Sequence, residues 1–170
     1  MTQDELPGAS IISAIKISGV EFVFSVPDIT TSEALLRPLA KDQDMRLVRV
    51  CKEDEAIGAS AGLSYCNKRA LLLIQQTGLF DSINAMRGVA VEFSLPICLM
   101  VGLLNAEPGV PPAEQKSYGI RIVEPILDAM GIKHELIDTE EDVAKIGPAI
   151  EQAYEVSEPV VMLIGRSPSP

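Results

Sequence analysis

Histidine is almost missing from this chain: His134 is the only one in 170 residues. With it go the HExxH zinc site and any His/Cys cluster with metal-ligand spacing. His134 falls in a predicted strand, where a satisfied core or edge histidine is expected rather than a catalyst. Cysteine is scarce too. Cys51, Cys66 and Cys98 make an odd count with no CxxC spacing, so no disulfide framework is expected. Each has apolar neighbours, which predicts small core residues in a reducing cytoplasm. Bases are few: 14 against 24 acids, for a net charge of −10. That balance excludes a nucleic-acid surface, which needs a basic patch, and an anionic membrane surface. The longest apolar runs, residues 70–74 and 97–104, fall far short of the ~20 residues a membrane span needs. The start, Met1-Thr2-Gln3-Asp4-Glu5, is acidic and unlike a secretory signal or transit peptide. There is no GxSxG, no GxxxxGK[ST] phosphate loop and no GxGxxG.

What is present is an alternation of strand-like and helix-like segments. The length predicts one domain over 1–170, with a tail frayed from about residue 166. A chain of this size buries roughly 70% of the surface its unfolded form exposes, enough for a core without staples. Apolar Ile11, Ile12 and Ile15 at helical spacing predict a helix over 9–18, stopped by Gly19. Strands are predicted over 21–26, 45–50, 70–75, 97–103, 133–137 and 159–164. Helices are predicted over 30–41, with Thr30 and Glu33 as a capping box, and over 53–67, 80–93, 120–130 and 140–154. Residues 104–119 read as a long loop. The acidic stretch 138–142 reads as a solvent-facing helix start.

Strands alternating with helices predict βαβ units and a parallel sheet. Near-continuous apolar strands such as Leu71-Leu72-Leu73-Ile74 and Val160-Val161-Met162-Leu163-Ile164 predict cover on both faces. The fold class is therefore α/β: a three-layer α/β/α domain of about six mostly parallel strands. Ligands bind such sheets beyond the carboxyl ends of the strands, so function belongs to the segments that leave those ends.

Three of these segments carry candidate chemistry. The first is Val26-Pro27-Asp28-Ile29-Thr30-Thr31, which taken alone reads as turn chemistry plus a helix cap. The second is Lys52-Glu53-Asp54-Glu55, before a helix of small residues that includes Gly58, Ala59, Ser60, Ala61 and Gly62. Acids at a helix start complement its dipole, and that accounts for Asp54 and Glu55. Glu53 differs, because it sits where strand meets helix. The third is Gln75-Gln76-Thr77-Gly78-Leu79-Phe80, which offers amides, a hydroxyl and close backbone approach to a polar ligand. A plain strand–helix turn capped by Asp81 or Ser82 fits it equally well.

Together these segments resemble the pyrimidine-binding domain of thiamine-diphosphate-dependent 2-oxoacid decarboxylases. Within that family they resemble the α subunits of the sulfopyruvate decarboxylase type and the matching region of phosphonopyruvate decarboxylase. The resemblance runs from about residue 10 to 166. Its carriers are Gly19-Val-Glu-Phe-Val-Phe-Ser-Val-Pro-Asp28, Lys52-Glu-Asp-Glu-Ala-Ile-Gly-Ala-Ser-Ala-Gly62 and Gln76-Thr-Gly-Leu-Phe-Asp-Ser-Ile-Asn-Ala-Met86. Ser94-Leu-Pro-Ile97 and Leu127-Asp-Ala-Met-Gly-Ile132 fit it as well.

The resemblance implies that Glu53 is the family's activating glutamate, which hydrogen-bonds a ring nitrogen of the cofactor's aminopyrimidine. It implies that Gln76, Thr77, Gly78 and Leu79 face the cofactor. Asp28 is implied as a catalytic polar group near the reacting carbonyl, with Pro27, Thr30, Thr31 and Phe80 on the substrate side. Two departures stand out. Phe80 replaces a glycine of the relatives, and Val101-Gly102-Leu103-Leu104-Asn105 lacks the His-Arg-Gly stretch of the sulfopyruvate type. Arg121 or a partner chain is then left to meet a sulfonate or phosphonate. The family's Gly-Asp-Gly…Asn anchor for magnesium and diphosphate does not occur in this chain. The implied enzyme is thus a two-chain 2-oxoacid decarboxylase of the cytoplasm. Its β subunit holds Mg²⁺ and diphosphate, and the chains associate as a homo- or hetero-oligomer. The alternative is a non-catalytic binding or assembly module that has lost the chemistry; a flavodoxin-like nucleotide domain ranks below both, since it lacks a phosphate loop.

Overall fold

Residues 5–170 are described by a computed structural model; the acidic start Met1–Asp4 lies outside the described residues. Six parallel strands form one sheet in the order β2-β1-β3-β4-β6-β5. They are β1 (Val20–Ser25), β2 (Arg46–Arg49), β3 (Arg69–Gln75), β4 (Cys98–Gly102), β5 (Lys133–Ile137) and β6 (Val160–Ile164). Every pairing is parallel, as the alternating pattern predicts. The strands β4 and β6 are buried at every residue, and β3 at five of seven. The β-branched and leucine runs fit this setting because both faces are covered.

Helices cover both faces of the sheet. One face carries α1 (Gly8–Ile17), a π-turn (Ser32–Leu36) running into α2 (Arg37–Leu39), and α8 (Ile146–Val156). The other carries α3 (Glu53–Ser64), then α4 (Gln76–Asp81), α5 (Ile83–Ala85) and a second π-turn (Met86–Val91), then α6 (Tyr118–Arg121) and α7 (Val123–Ala129). The alternation of side chains along each strand therefore splits the core into two clusters. Ile11, Leu35, Leu73 and Ile150 belong to one; Ile57, Leu72, Leu79 and Leu127 belong to the other.

Several local expectations need correction. The helix expected over 80–93 begins at Gln76, directly off β3, and is broken at Ser82. The cap expected at Thr30 is supplied by Asp28, whose carboxylate accepts the Thr31 N–H at 2.8 Å; Glu33 instead pairs with Arg37 at 3.0 Å. Only Cys98 is a core cysteine, its thiol pushed up to about 12 by burial; Cys51 and Cys66 are exposed. Both sit just past the end of a strand or helix, where no facing layer covers them.

The tail is not frayed. Ser169 donates its N–H to Leu6 and accepts that of Gly8, beside a parallel bridge between Pro7 and Ser169. Arg166 donates two hydrogen bonds of 3.0 Å to Asp138. Asp138 also accepts the Gly109 N–H at 2.8 Å. Its carboxylate is only 11% exposed, so the acidic stretch 138–142 is not a simple solvated helix start. Burial pushes the nearby Asp142 carboxyl up. Lys145, the N–H groups of Asp138 and Thr139 and the Thr139 hydroxyl outweigh that and hold it at about 2.

Asp138 thus joins the end of β5, the segment after β6 and the long loop after β4. Breaking a largely buried ion pair costs on the order of 3 kcal/mol, because the surviving charge is left uncompensated. Arg166→Ala is expected to lower the urea midpoint by a corresponding amount. It is also expected to make residues 104–119 the first site of limited proteolysis, as read by mass spectrometry.

Candidate active site

Adjacent strands β1 and β3 send their chains to opposite faces of the sheet. The connection after β1 packs with the Ile11 cluster and that after β3 with the Leu72 cluster. A crevice opens outside the carboxyl ends of two such strands. The segments predicted to carry the chemistry meet around this edge.

Glu53 is the first residue of α3, the helix that carries the chain from β2 across β1 to β3. Its neighbours have structural work. The Glu55 carboxylate accepts the backbone N–H of Cys51 at 3.0 Å and of Lys52 at 3.4 Å, capping the helix. The Lys52 ammonium lies 3.6 Å from Asp54 and 3.1 Å from Asp81, tying the start of α3 to the end of α4. Glu53 is half-buried. No described residue hydrogen-bonds to its carboxyl or forms an ion pair with it.

The place of that carboxyl is set by Gly78. A Cβ built at Gly78 would lie 2.3 Å from Glu53 Oε1, 2.4 Å from Cδ and 2.4 Å from Cγ. No residue but glycine leaves that space. Gly78 is buried in the first turn of α4, where a glycine costs roughly 1 kcal/mol against alanine. The chain accepts a poor helix former there because the Glu53 side chain at the start of α3 occupies the room.

The other predicted residues divide. Gln76 is buried, and its side-chain carbonyl accepts the Leu104 N–H at 2.8 Å, which fixes the loop after β4. Thr77 is exposed at the edge and accepts a hydrogen bond of 2.8 Å from Gln75 Nε2. The Leu79 side chain is fully buried in the core, so it contributes packing rather than a polar contact. Phe80 is half-buried, and its ring would meet a Cβ at Gly119 at 3.9 Å, so it backs the end of the long loop.

On the other side of the crevice, Asp28 is buried and bound through both carboxylate oxygens, to the Thr31 N–H and hydroxyl. Ser32 donates its hydroxyl to the Asp28 carbonyl. Thr30 and Thr31 are buried too. Their methyl groups lie 3.3 Å from where a Gly102 Cβ would stand, so this loop reaches past β3 to the end of β4. Pro27 is exposed beside them. Asp28 and the two threonines therefore shape the site; the carboxyl left without a partner is Glu53. Arg121 does not line this crevice freely: its guanidinium donates to the carbonyls of Gln115 and Lys116. Among the described residues, no group of three His, Cys, Asp or Glu is placed to hold a metal ion.

The chain has relatives among known proteins. Residues 8–117 match the N-terminal TPP binding domain of thiamine pyrophosphate enzymes. The chain belongs to that family. It is 30% identical over 155 residues to the sulfopyruvate decarboxylase subunit alpha of Methanocaldococcus jannaschii, a match covering 91% of this chain and 90% of the relative. The corresponding subunit of Methanococcus maripaludis is 34% identical over 92 residues, 54% of each chain. The sulfopyruvate decarboxylase of Methanosarcina acetivorans is 23% identical over 159 residues, covering 93% of this chain but 40% of that longer protein. The six-stranded parallel sheet is the fold the family implies.

Adding a Cβ at position 78 sets an overpacking cost of about 1–3 kcal/mol against a helix-propensity gain of about 1 kcal/mol. Gly78→Ala is therefore expected to shift the melting temperature by only a few degrees, roughly 2–4 °C per kcal/mol for a chain this size. The same change turns the Glu53 carboxyl out of its seat. NMR spectra of the variant should show displaced Glu53 side-chain resonances with the core resonances in place.

Proposed function

We propose that this chain is the pyrimidine-binding subunit of a thiamine-diphosphate-dependent 2-oxoacid decarboxylase, a carboxy-lyase that works only with a second chain. The observation that carries the reading is Glu53: a half-buried carboxyl with no partner among the described residues, seated where only glycine leaves room. The relatives named as sulfopyruvate decarboxylase alpha subunits support it.

The residues present fit the cofactor's aminopyrimidine. A carboxyl held in place and unpaired can share a proton with a ring nitrogen, and Gly78 lets a flat ring approach the backbone beside it. Thiamine diphosphate, when bound, supplies the electron sink for loss of carbon dioxide. The chain's own residues supply position. Glu53 holds the proton at its carboxyl oxygen. Gln76 fixes the loop after β4 through Leu104, and Asp28 fixes its own turn through Thr31. Thr77 is the exposed hydroxyl nearest Gly78 in sequence, and Pro27 and Phe80 bound the substrate side.

The diphosphate and Mg²⁺ would be held by a β subunit carrying Gly-Asp-Gly…Asn. The longer Methanosarcina relative supports this division, since most of that protein lies outside the match. The exposed small residues Gly58, Ala59 and Gly62 on α3, where nothing lies within 4 Å of a Cβ added at either glycine, are the face proposed for assembly, with exposed Phe93 beyond them.

The test is reconstitution. The chain alone, with thiamine diphosphate and Mg²⁺, is expected to release no carbon dioxide from a panel of 2-oxoacids that includes sulfopyruvate. The co-purified pair with a Gly-Asp-Gly…Asn chain is expected to release it catalytically from at least one. Failure of every such pair to turn over any 2-oxoacid would contradict the reading.

A further inference from the structure

A groove of about 470 Å³ opens at the carboxyl end of β1 and β2, between those strands and α2. It lies on the opposite layer from α3. Its Ser25, Leu47 and Arg49 are on the strand face that packs with the Ile11 cluster, whereas α3 covers the other face. Its floor is apolar, from Leu36, Ala40, Leu47 and Pro27, and its rim carries Arg37, Lys41 and Arg49.

The charges of this rim are unusual for so acidic a chain. Arg37 is matched by Glu33, also on the rim, at 3.0 Å. Lys41 and Arg49 have no carboxylate within ion-pair distance among the described residues, and no side-chain hydrogen bond. With 24 acids in the sequence against 14 bases, cations are readily paired elsewhere, as at Lys16, Lys52, Lys68 and Arg87. Two unmatched cations beside an apolar floor make a site for an anion with a hydrocarbon body. The two hydroxyls present do not add donors, since Ser25 donates to the Leu73 carbonyl and Ser32 to that of Asp28. Recognition would therefore fall to Lys41 as a point charge and to Arg49 as a fork that grips a planar or tetrahedral oxyanion at two points.

We propose that this groove binds a small aliphatic di-anion, one whose carboxylate, sulfonate or phosphonate groups meet Lys41 and Arg49 while its carbon chain lies on Leu36 and Leu47. The site stands whether or not Glu53 activates a cofactor, because it is built from another layer of the molecule. Two sources share this chemistry: a substrate or product reaching the groove past Pro27, and a separate effector.

The test uses the full chain and two probes, sulfoacetate and inorganic sulfate, titrated by NMR at constant ionic strength. Sulfoacetate is expected to give saturable shifts at Ala40, Leu47 and Arg49. The doubly substituted Lys41→Gln, Arg49→Gln chain should bind it at least tenfold more weakly. Lys68→Gln, at the other end of the sheet, should bind it as the wild type does. Absence of saturable shifts, equal binding by the double variant, or equal affinity for sulfate and sulfoacetate would each overturn the proposal. In the reconstituted pair, a raised KM for the 2-oxoacid with unchanged kcat in the double variant assigns the groove to substrate. Unchanged kinetics with lost sulfoacetate binding assigns it to an effector.

Discussion

The Glu53 side chain, at the start of α3 shortly after β2, can lie across the end of β3 only because Gly78 has no Cβ. That one steric allowance joins the two strand ends on either side of β1. It holds the Glu53 carboxyl beside buried backbone and away from Lys52, whose charge is taken up by Asp54 and Asp81. Any larger residue at 78 would send the carboxyl toward solvent or toward that lysine. The cost is a glycine in the first turn of a helix, a position where local propensity argues for alanine. Local preference has given way to a tertiary demand, and such conflicts mark functional sites.

The sheet topology explains why this happens at that edge. With β1 and β3 adjacent, their connections leave to opposite faces of the sheet, the arrangement that opens a crevice outside the carboxyl ends. The segments at this edge are each held by bonds of their own. Gln76 holds the loop after β4, Asp28 holds its own turn through Thr31, and the threonine methyl groups rest on Gly102. Farther along the edge, Asp138 gathers the ends of β5, β6 and the long loop. Most polar groups around the crevice are therefore spent on holding the frame, which makes the unpartnered carboxyl stand out.

How much of this can be read from the chain depends on how local each cause is. The inner strands β3, β4 and β6 are legible because their near-continuous apolar runs suit strands covered on both faces; the edge strands β2 and β5, which carry charged residues, are legible from their place in the alternation with helices. Glu53 is legible as the acid that helix capping does not need. The start of α4 is not, because Gln76-Thr77-Gly78 has the composition of a turn, and its helical state follows from contact with α3. The order of the tail is hidden for a similar reason: Arg166 and Asp138 are 28 residues apart, and neither looks buried on its own. Exposure of Cys51 and Cys66 depends on which layer ends where, which apolar neighbours in sequence do not report. The groove of Lys41 and Arg49 likewise exists only once α2 is folded back over the sheet edge.

The central claim is that the Glu53 carboxyl activates the cofactor through its aminopyrimidine. Proton–deuterium exchange at the thiazolium carbon of thiamine diphosphate, followed by quenched-flow NMR in the reconstituted two-chain enzyme, tests it without reference to substrate. Replacement of Glu53 by Gln removes the shared proton and keeps the size, so exchange is expected to slow by at least about 10²-fold, the usual scale of general acid–base assistance. Exchange at the wild-type rate in the Glu53→Gln enzyme, with the cofactor still bound, would contradict the account.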